Sequence, residues 1–265
     1  MAGVKSRAPS TSTVERWIEA GYGQGQAAEY KPFMFVRDVP SQGTSSMVKS
    51  RITNRTHHYL SRQELKVHLL AEYQSEIMDI REQFALLPWE ETQAISDSLG
   101  IRHPTYPTTR TPIVLTTDLL LSLRRDDGIE LIAVSVKFTK DLTPRNLEKL
   151  LLEKMYWARR GIRWLLATEV NIPKFLPSNL EFFGTAFYDE RGAESGIDHA
   201  EFSEKFEQNH QPGASFNSVM GETINDFKID IATGHALLGV AVWNQVSRLN
   251  ISDYYVAHRN PIHFL

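Results

Sequence analysis

Asp118 and Lys137 stand in two apolar runs joined by a turn, and a carboxylate beside an ammonium is a pairing that phosphodiester hydrolysis uses. Residues 115–123 read as a strand, 124–128 as a turn, and 130–137 as the returning strand. Asp-Gly between apolar runs favours a tight hairpin, because Gly accepts positive φ at little cost. A turn centred between Asp127 and Gly128 pairs Asp118 with Lys137 and Leu120 with Ser135. Directly opposed residues share a sheet face, so the carboxylate and ammonium emerge together. Ser135 shares that face, while Val134 and Val136 turn to the other. Asp118 offers a hard oxygen ligand for a magnesium-like ion, the Val136 carbonyl can complete its shell, and Lys137 can meet the phosphoryl oxygens. The same pattern also describes a cross-strand ion pair on an exposed sheet face, and spacing alone leaves both readings open.

Other candidates have local explanations. Ser61-x-x-Glu64 is a capping box, in which the Glu returns to the start of its own helix, although a first-turn Glu can also reach a neighbouring metal. His57 and His58 are adjacent, so their side chains point apart and cannot readily chelate one ion; they read as polar surface or DNA contacts. His103, His199, His210, His235, His258 and His263 lack zinc-ligand spacing. Residues 21–25, Gly-Tyr-Gly-Gln-Gly, follow no strand and precede no Lys-Ser/Thr pair, so they read as a flexible connector rather than a phosphate loop. Lys149 and Glu153 read as an i,i+4 pair on a helix face, and Trp157, Trp164 and Trp243 as core.

The elements that must position these residues follow from periodicity and caps. Residues 1–12 read as disordered and 14–20 as a short helix stopped by Gly21. Ser61 opens a helix reaching about Tyr73, and 77–84 alternate as a strand. Thr143-Pro144 starts a long helix stopped at Gly161, followed by a short strand over 163–168. This order predicts a mixed sheet flanked by helices. Composition shifts near Asp189-Glu190-Arg191-Gly192; beyond it, helices are expected over 198–209, 216–231 and 234–247, with a small two-stranded wing over 249–264.

The chain has 265 residues, no cysteine, which excludes a disulfide framework and a thiolate metal site, and a formal net charge of −3, which argues against a tight free-standing DNA binder. No apolar run is long enough to span a bilayer, so the expectation is a cytoplasmic protein without a membrane partner. The charge is unevenly spread. Residues 1–62 carry Lys5, Arg7, Arg16, Lys31, Arg37, Lys49, Arg51, Arg55 and Arg62 against Glu15, Glu19, Glu29 and Asp38, whereas acidic residues dominate after Glu181. A basic front half can hold phosphate backbone.

Several segments, in order, resemble the TnsA family, the endonuclease subunits of heteromeric TnsA/TnsB cut-and-paste transposases. The matching pieces are Gly23-Gln24-Gly25, Tyr30-Lys31-Pro32, Val39-Pro40-Ser41-Gln42-Gly43 and Arg55-Thr56-His57-His58-Tyr59-Leu60-Ser61. Glu64-Leu65, Asp79-Ile80-Arg81-Glu82-Gln83-Phe84 with Leu87-Pro88, Thr117-Asp118, Val136-Lys137, Leu147-Glu148-Lys149-Leu150 and Tyr156-Trp157 complete the set. The resemblance covers about residues 20–175 and implies a fold: a restriction-endonuclease-like PD-(D/E)xK nuclease core over 21–185, after a flexible or helical arm over 1–20. A mostly α, winged-helix-like partner-binding domain over 190–265 is implied to follow.

By that likeness Glu64, Asp118 and Lys137 are the catalytic residues, with Glu64, Asp118, Ser135 and Val136 around magnesium or, in its place, manganese. Ser135 departs from the broader nuclease pattern, which has Asp or Glu there. Arg55, His57, His58 and Lys140 are the candidates for holding DNA. The implied function is cutting of the 5′, non-transferred strands at transposon ends, together with a TnsB-type DDE transposase and a TnsC-type AAA+ ATPase, in the prokaryotic cytoplasm. Two alternatives stand beside it: a catalytically weak TnsA-like scaffold bridging transposase and regulator, and a stand-alone restriction or repair nuclease.

Overall fold

A computed structural model of the chain describes residues 8–36 and 44–265. The segment Val39-Pro40-Ser41-Gln42-Gly43 and the charges at Lys5, Arg7, Arg37 and Asp38 lie outside the described residues. The chain divides into two compact units between Ile172 and Pro173.

The first unit opens with α1 (Thr11–Glu19), capped by the Ser10 hydroxyl, which accepts from the Thr13 amide. The helix thus begins inside the stretch whose composition reads as disordered. It is held because Val14 is fully buried and packs with Phe33, Ala85, Trp89 and Val114. The Gly-rich stretch after it is a built turn rather than a loose connector. Gly23 donates to the Lys31 carbonyl at 2.7 Å, and its φ of +74° is open to Gly at little cost. A Cβ there would lie 2.3 Å from that of Ala85, so only a glycine lets this turn lie against the sheet.

A separate two-stranded ribbon follows, β1 (Ser46–Lys49) and β2 (Thr56–Tyr59), antiparallel with Val48 opposite His57. Then come α2 (Arg62–Glu72), β3 (Ile77–Ala85), α3 (Trp89–Ser98), β4 (Thr116–Arg125), β5 (Gly128–Val136), α4 (Pro144–Ala158) and β6 (Arg163–Ala167). The main sheet has the order β3-β4-β5-β6, antiparallel except for the β5/β6 pair, which is parallel across α4. It is a mixed sheet flanked by helices, the expected α/β nuclease-type core. Leu120 and Ala133 of the sheet meet Leu152, Tyr156 and Trp157 of α4 and Ile95 of α3 in one apolar cluster. Thr143 caps α4 by accepting from the Asn146 amide, and Pro144 takes its first position.

The central hairpin differs from expectation in register. Arg125 pairs with Gly128 and Leu119 with Val134, so the turn centres between Asp126 and Asp127. Gly128, at φ +143°, opens β5 instead of sitting in the turn. Continuing this register puts Asp118 opposite Ser135, not Lys137. The displacement is by two residues, so each side chain keeps its face.

The second unit is helical: α5 (Leu176–Phe182), α6 (Glu190–Glu194), α7 (His199–Gln208), α8 (Phe216–Phe227) and α9 (Ile231–Trp243). It begins earlier than the composition shift near Asp189 suggests. The reason is Asn179 on α5, fully buried, which donates to the carbonyls of Ile251 and Tyr254 and accepts from the Val256 amide. Lys228, left-handed at φ +56°, ends α8, and Asp230 caps α9. The expected wing is represented by a single Leu249–Phe264 bridge. No helix among the described residues is long and apolar enough to cross a membrane.

Candidate active site

Glu64, Asp118 and Lys137 line one cleft of about 380 Å³ in the first unit, together with Gln83, Thr116, Asn146, Lys149 and Glu153. Each arrives on a different support. Asp118 lies near the start of β4, and its Oδ2 accepts from the Val136 amide at 2.6 Å and from Lys137 Nζ at 3.3 Å. Lys137 follows the last residue of β5, and its ammonium also donates to the Val136 carbonyl at 2.8 Å. One cation is therefore held between the two oxygens that the sequence offers to a metal. The Asp118 charge raises the Lys137 pKa despite burial, so the ammonium stays charged.

Glu64 sits in the first turn of α2 and does two things at once. The Ser61 hydroxyl accepts from the Glu64 amide and donates back to its Oε1 at 2.8 Å, while the Leu60 amide donates to Oε2 at 3.0 Å. Both carboxylate oxygens are thus held at the helix start. Burial first, and then the Asp118 charge, push its pKa up to about 7.

A third carboxylate, Glu153, does not behave as a helix-face residue. It is buried, and it accepts from Thr117 Oγ1 at 2.7 Å and from the Ser135 hydroxyl. Trp157 donates to Thr117 and Trp164 to Ser135, which fixes both hydroxyls. Lys149, its expected partner, contacts Asn146 instead. Burial and the Asp118 charge raise Glu153 to about 7 as well.

Ser135 therefore has its hydroxyl engaged with Glu153 and Trp164 rather than presented to a metal beside Asp118. Position 135 carries no carboxylate, and its hydroxyl donates to Glu153, which reaches in from α4. The signal was present in the sequence: Glu153 lies three residues after Leu150 and four before Trp157, on the helix side that turns inward.

Two of the DNA-contact candidates are structural. Arg55 donates both terminal nitrogens to Glu82, at 2.8 and 2.5 Å, and also bonds the Ile80 carbonyl. His57 has no exposed surface; its Nδ1 lies 2.9 Å from Glu82 and its Nε2 2.8 Å from Thr53 Oγ1. His58 is half-buried with its ring edge-on to Phe35. Lys140 is exposed.

The cleft's donors suit a hard divalent cation. They are carboxylate and carbonyl oxygens, and burial first, then the Asp118 charge, raises Glu64 and Glu153. Among the described residues no three His, Cys, Asp or Glu side chains form a ready-made cage.

A family model described as TnsA-like endonuclease N terminal matches residues 74–169, a stretch containing Asp118, Lys137 and Glu153. Transposon Tn7 transposition protein TnsA of Escherichia coli is 35% identical over 232 residues, covering 83% of each chain. The chain belongs to the TnsA-like endonuclease family. As a TnsA-family member it is an endonuclease of DNA transposition, and the relative's identity extends well past the matched nuclease region into the helical second unit. Within this TnsA-type core the cleft is the place where the sequence-derived candidates Glu64, Asp118 and Lys137 meet.

Proposed function

We propose that the chain is a magnesium-dependent endonuclease that cuts the 5′, non-transferred strands at transposon ends, and that Glu64, Asp118 and Lys137 form its active site. The observation that carries this reading is their convergence, from a helix start, a strand start and a strand end, on one cleft. Glu64, Asp118 and the Val136 carbonyl would hold the ion, with Glu153 supporting the set from behind. The ion would supply Lewis-acid polarisation of the phosphodiester and a nucleophilic water at neutral pH. Lys137 would carry positive charge toward the phosphoryl oxygens as negative charge builds there, and would help place the attacking water. Lys140 and Lys149 would meet the DNA backbone.

The slightly acidic whole chain supports an enzyme brought to DNA by partners: a TnsB-type DDE transposase cutting the 3′ ends and a TnsC-type AAA+ ATPase controlling both. Reconstitution with cognate partners on transposon-end DNA tests this. Cleavage is expected in magnesium or manganese and none in EDTA. Cutting that persists in EDTA would remove the metal from the account. Robust cutting by the isolated chain would favour the stand-alone nuclease instead.

A further inference from the structure

Gln83 lies in the middle of β3, with Glu82 paired to Leu119 and Phe84 to Thr117 on either side of it, so it sits beside Asp118 in the neighbouring strand. Its backbone is left-handed, φ +46°, in a residue that is almost fully buried. A side-chain-bearing residue other than Asn or Asp rarely adopts that conformation, and such outliers gather at functional sites. The rotation turns its carbonyl toward the Phe33 amide, which donates to it at 3.3 Å.

The side chain is fixed at both ends. Thr116 Oγ1 donates to Gln83 Oε1 at 3.2 Å, which leaves the amide nitrogen facing the other way, where it donates to Glu64 Oε2 at 3.3 Å. The other donors to Glu64 named above, Leu60 and Ser61, belong to the start of the helix that carries it. Gln83 and Thr116 belong to the sheet that carries Asp118. The bridge Thr116–Gln83–Glu64 thus ties the helix-borne carboxylate to the strand that carries Asp118.

We propose that Gln83 is a positioning residue: its amide sets the Glu64 carboxylate at working distance from Asp118, and its left-handed backbone is the conformation needed to aim it there. This rests on the reading that Glu64 and Asp118 hold a divalent cation. An amide suits the task because it donates to a carboxylate without adding charge, whereas a Glu at 83 would add a second negative group beside Glu64. Asn would accept the backbone more readily but is one methylene too short to make the bridge.

The test measures manganese binding to the full chain, without DNA, alongside the thermal unfolding midpoint, for wild type, Asp118→Asn, Gln83→Leu and Gln83→Asn. Asp118→Asn is expected to abolish manganese binding. Both Gln83 variants are expected to bind manganese roughly five- to tenfold more weakly, with Gln83→Asn unfolding at or above the wild-type temperature. Wild-type affinity in both Gln83 variants would overturn the positioning role. So would affinity losses that merely track losses of thermal stability, since a purely structural residue gives that result. Failure of the underlying reading looks different: wild type would bind no manganese, or Asp118→Asn would bind it normally, and the proposal would fall with it.

Discussion

Glu82 is a carboxylate with no exposed surface, and its neighbours decide whether that charge is tolerable. Burial alone would raise its pKa, but hydrogen bonds from His57 and Arg55 outweigh burial and hold it at about 2. Arg55→Ala should therefore lower stability by roughly 3–5 kcal/mol in denaturant unfolding, because it strands a buried charge; a midpoint unchanged from wild type would return Arg55 to the role of surface DNA contact. The pH dependence follows from the same group. Glu82 and Glu72, the latter held at about 2 against burial by His68 and Ser50, have folded pKa values below the ordinary 4.5. Their stabilisation is complete above 4.5 and is lost as pH falls toward 2. His57, lowered by burial to about 4, disfavours the fold as pH falls from 6.5 to 4. Glu64 and Glu153, raised to about 7, act in the opposite sense between 7 and 4.5. Stability should therefore rise as pH falls from 7 toward 4.5, because two raised carboxylates outweigh one lowered imidazole, and fall steeply below 4.5, with Glu82→Gln flattening the acid limb in a series of unfolding curves. None of this was legible at His57 and Arg55 from sequence, since adjacent polar residues near a basic stretch look the same whether they face solvent or a buried acid.

The elements show where patterning suffices and where it does not. The α2 start, the Thr143-Pro144 start of α4 and the β4–β5 hairpin follow from caps and alternation. The hairpin register was displaced because two residues, Asp127 and Asp126, compete to precede the turn centre, and local chemistry does not choose between them. The β1–β2 ribbon is not legible from patterning because its strands have four residues each and a buried histidine, His57, stands where alternation would call for an apolar side chain. Gly23 reads as part of a loose connector for a different reason: its constraint is the approach of Ala85, distant in sequence. Gly23→Ala should destabilise the first unit measurably in thermal unfolding, by more than the loss of backbone freedom could return, because it meets both a positive φ and a close contact. Ser61→Ala tests the link between cap and chemistry. The lost cap should cost about 1 kcal/mol of stability, and cleavage should fall further than that change explains, since Ser61 also bonds Glu64 Oε1. A purely proportional decline would confine Ser61 to capping.

At the scale of the whole molecule, the sequence placed the functional weight in the front of the chain, and the nuclease family match falls there. The acidic, helical second unit and the modest net charge are consistent with a chain that gains its DNA through partners. Its affinity for DNA on its own should be weak and should fall steeply with added salt, which a filter or anisotropy titration would read directly. The composition shift near Asp189 misplaced the division between units because charge marks surface, whereas the boundary is set by packing around Asn179. One cleft, with Asp118 in it, is expected to make one class of cut. The measurement is strand-resolved cleavage of end-labelled transposon-end DNA in an assembly with cognate TnsB- and TnsC-type proteins and magnesium, comparing wild type with Asp118→Ala. Loss of the 5′-strand cuts alone, with 3′-strand cuts retained and the variant folded, is the predicted result. Unchanged 5′-strand cuts in the variant would contradict it.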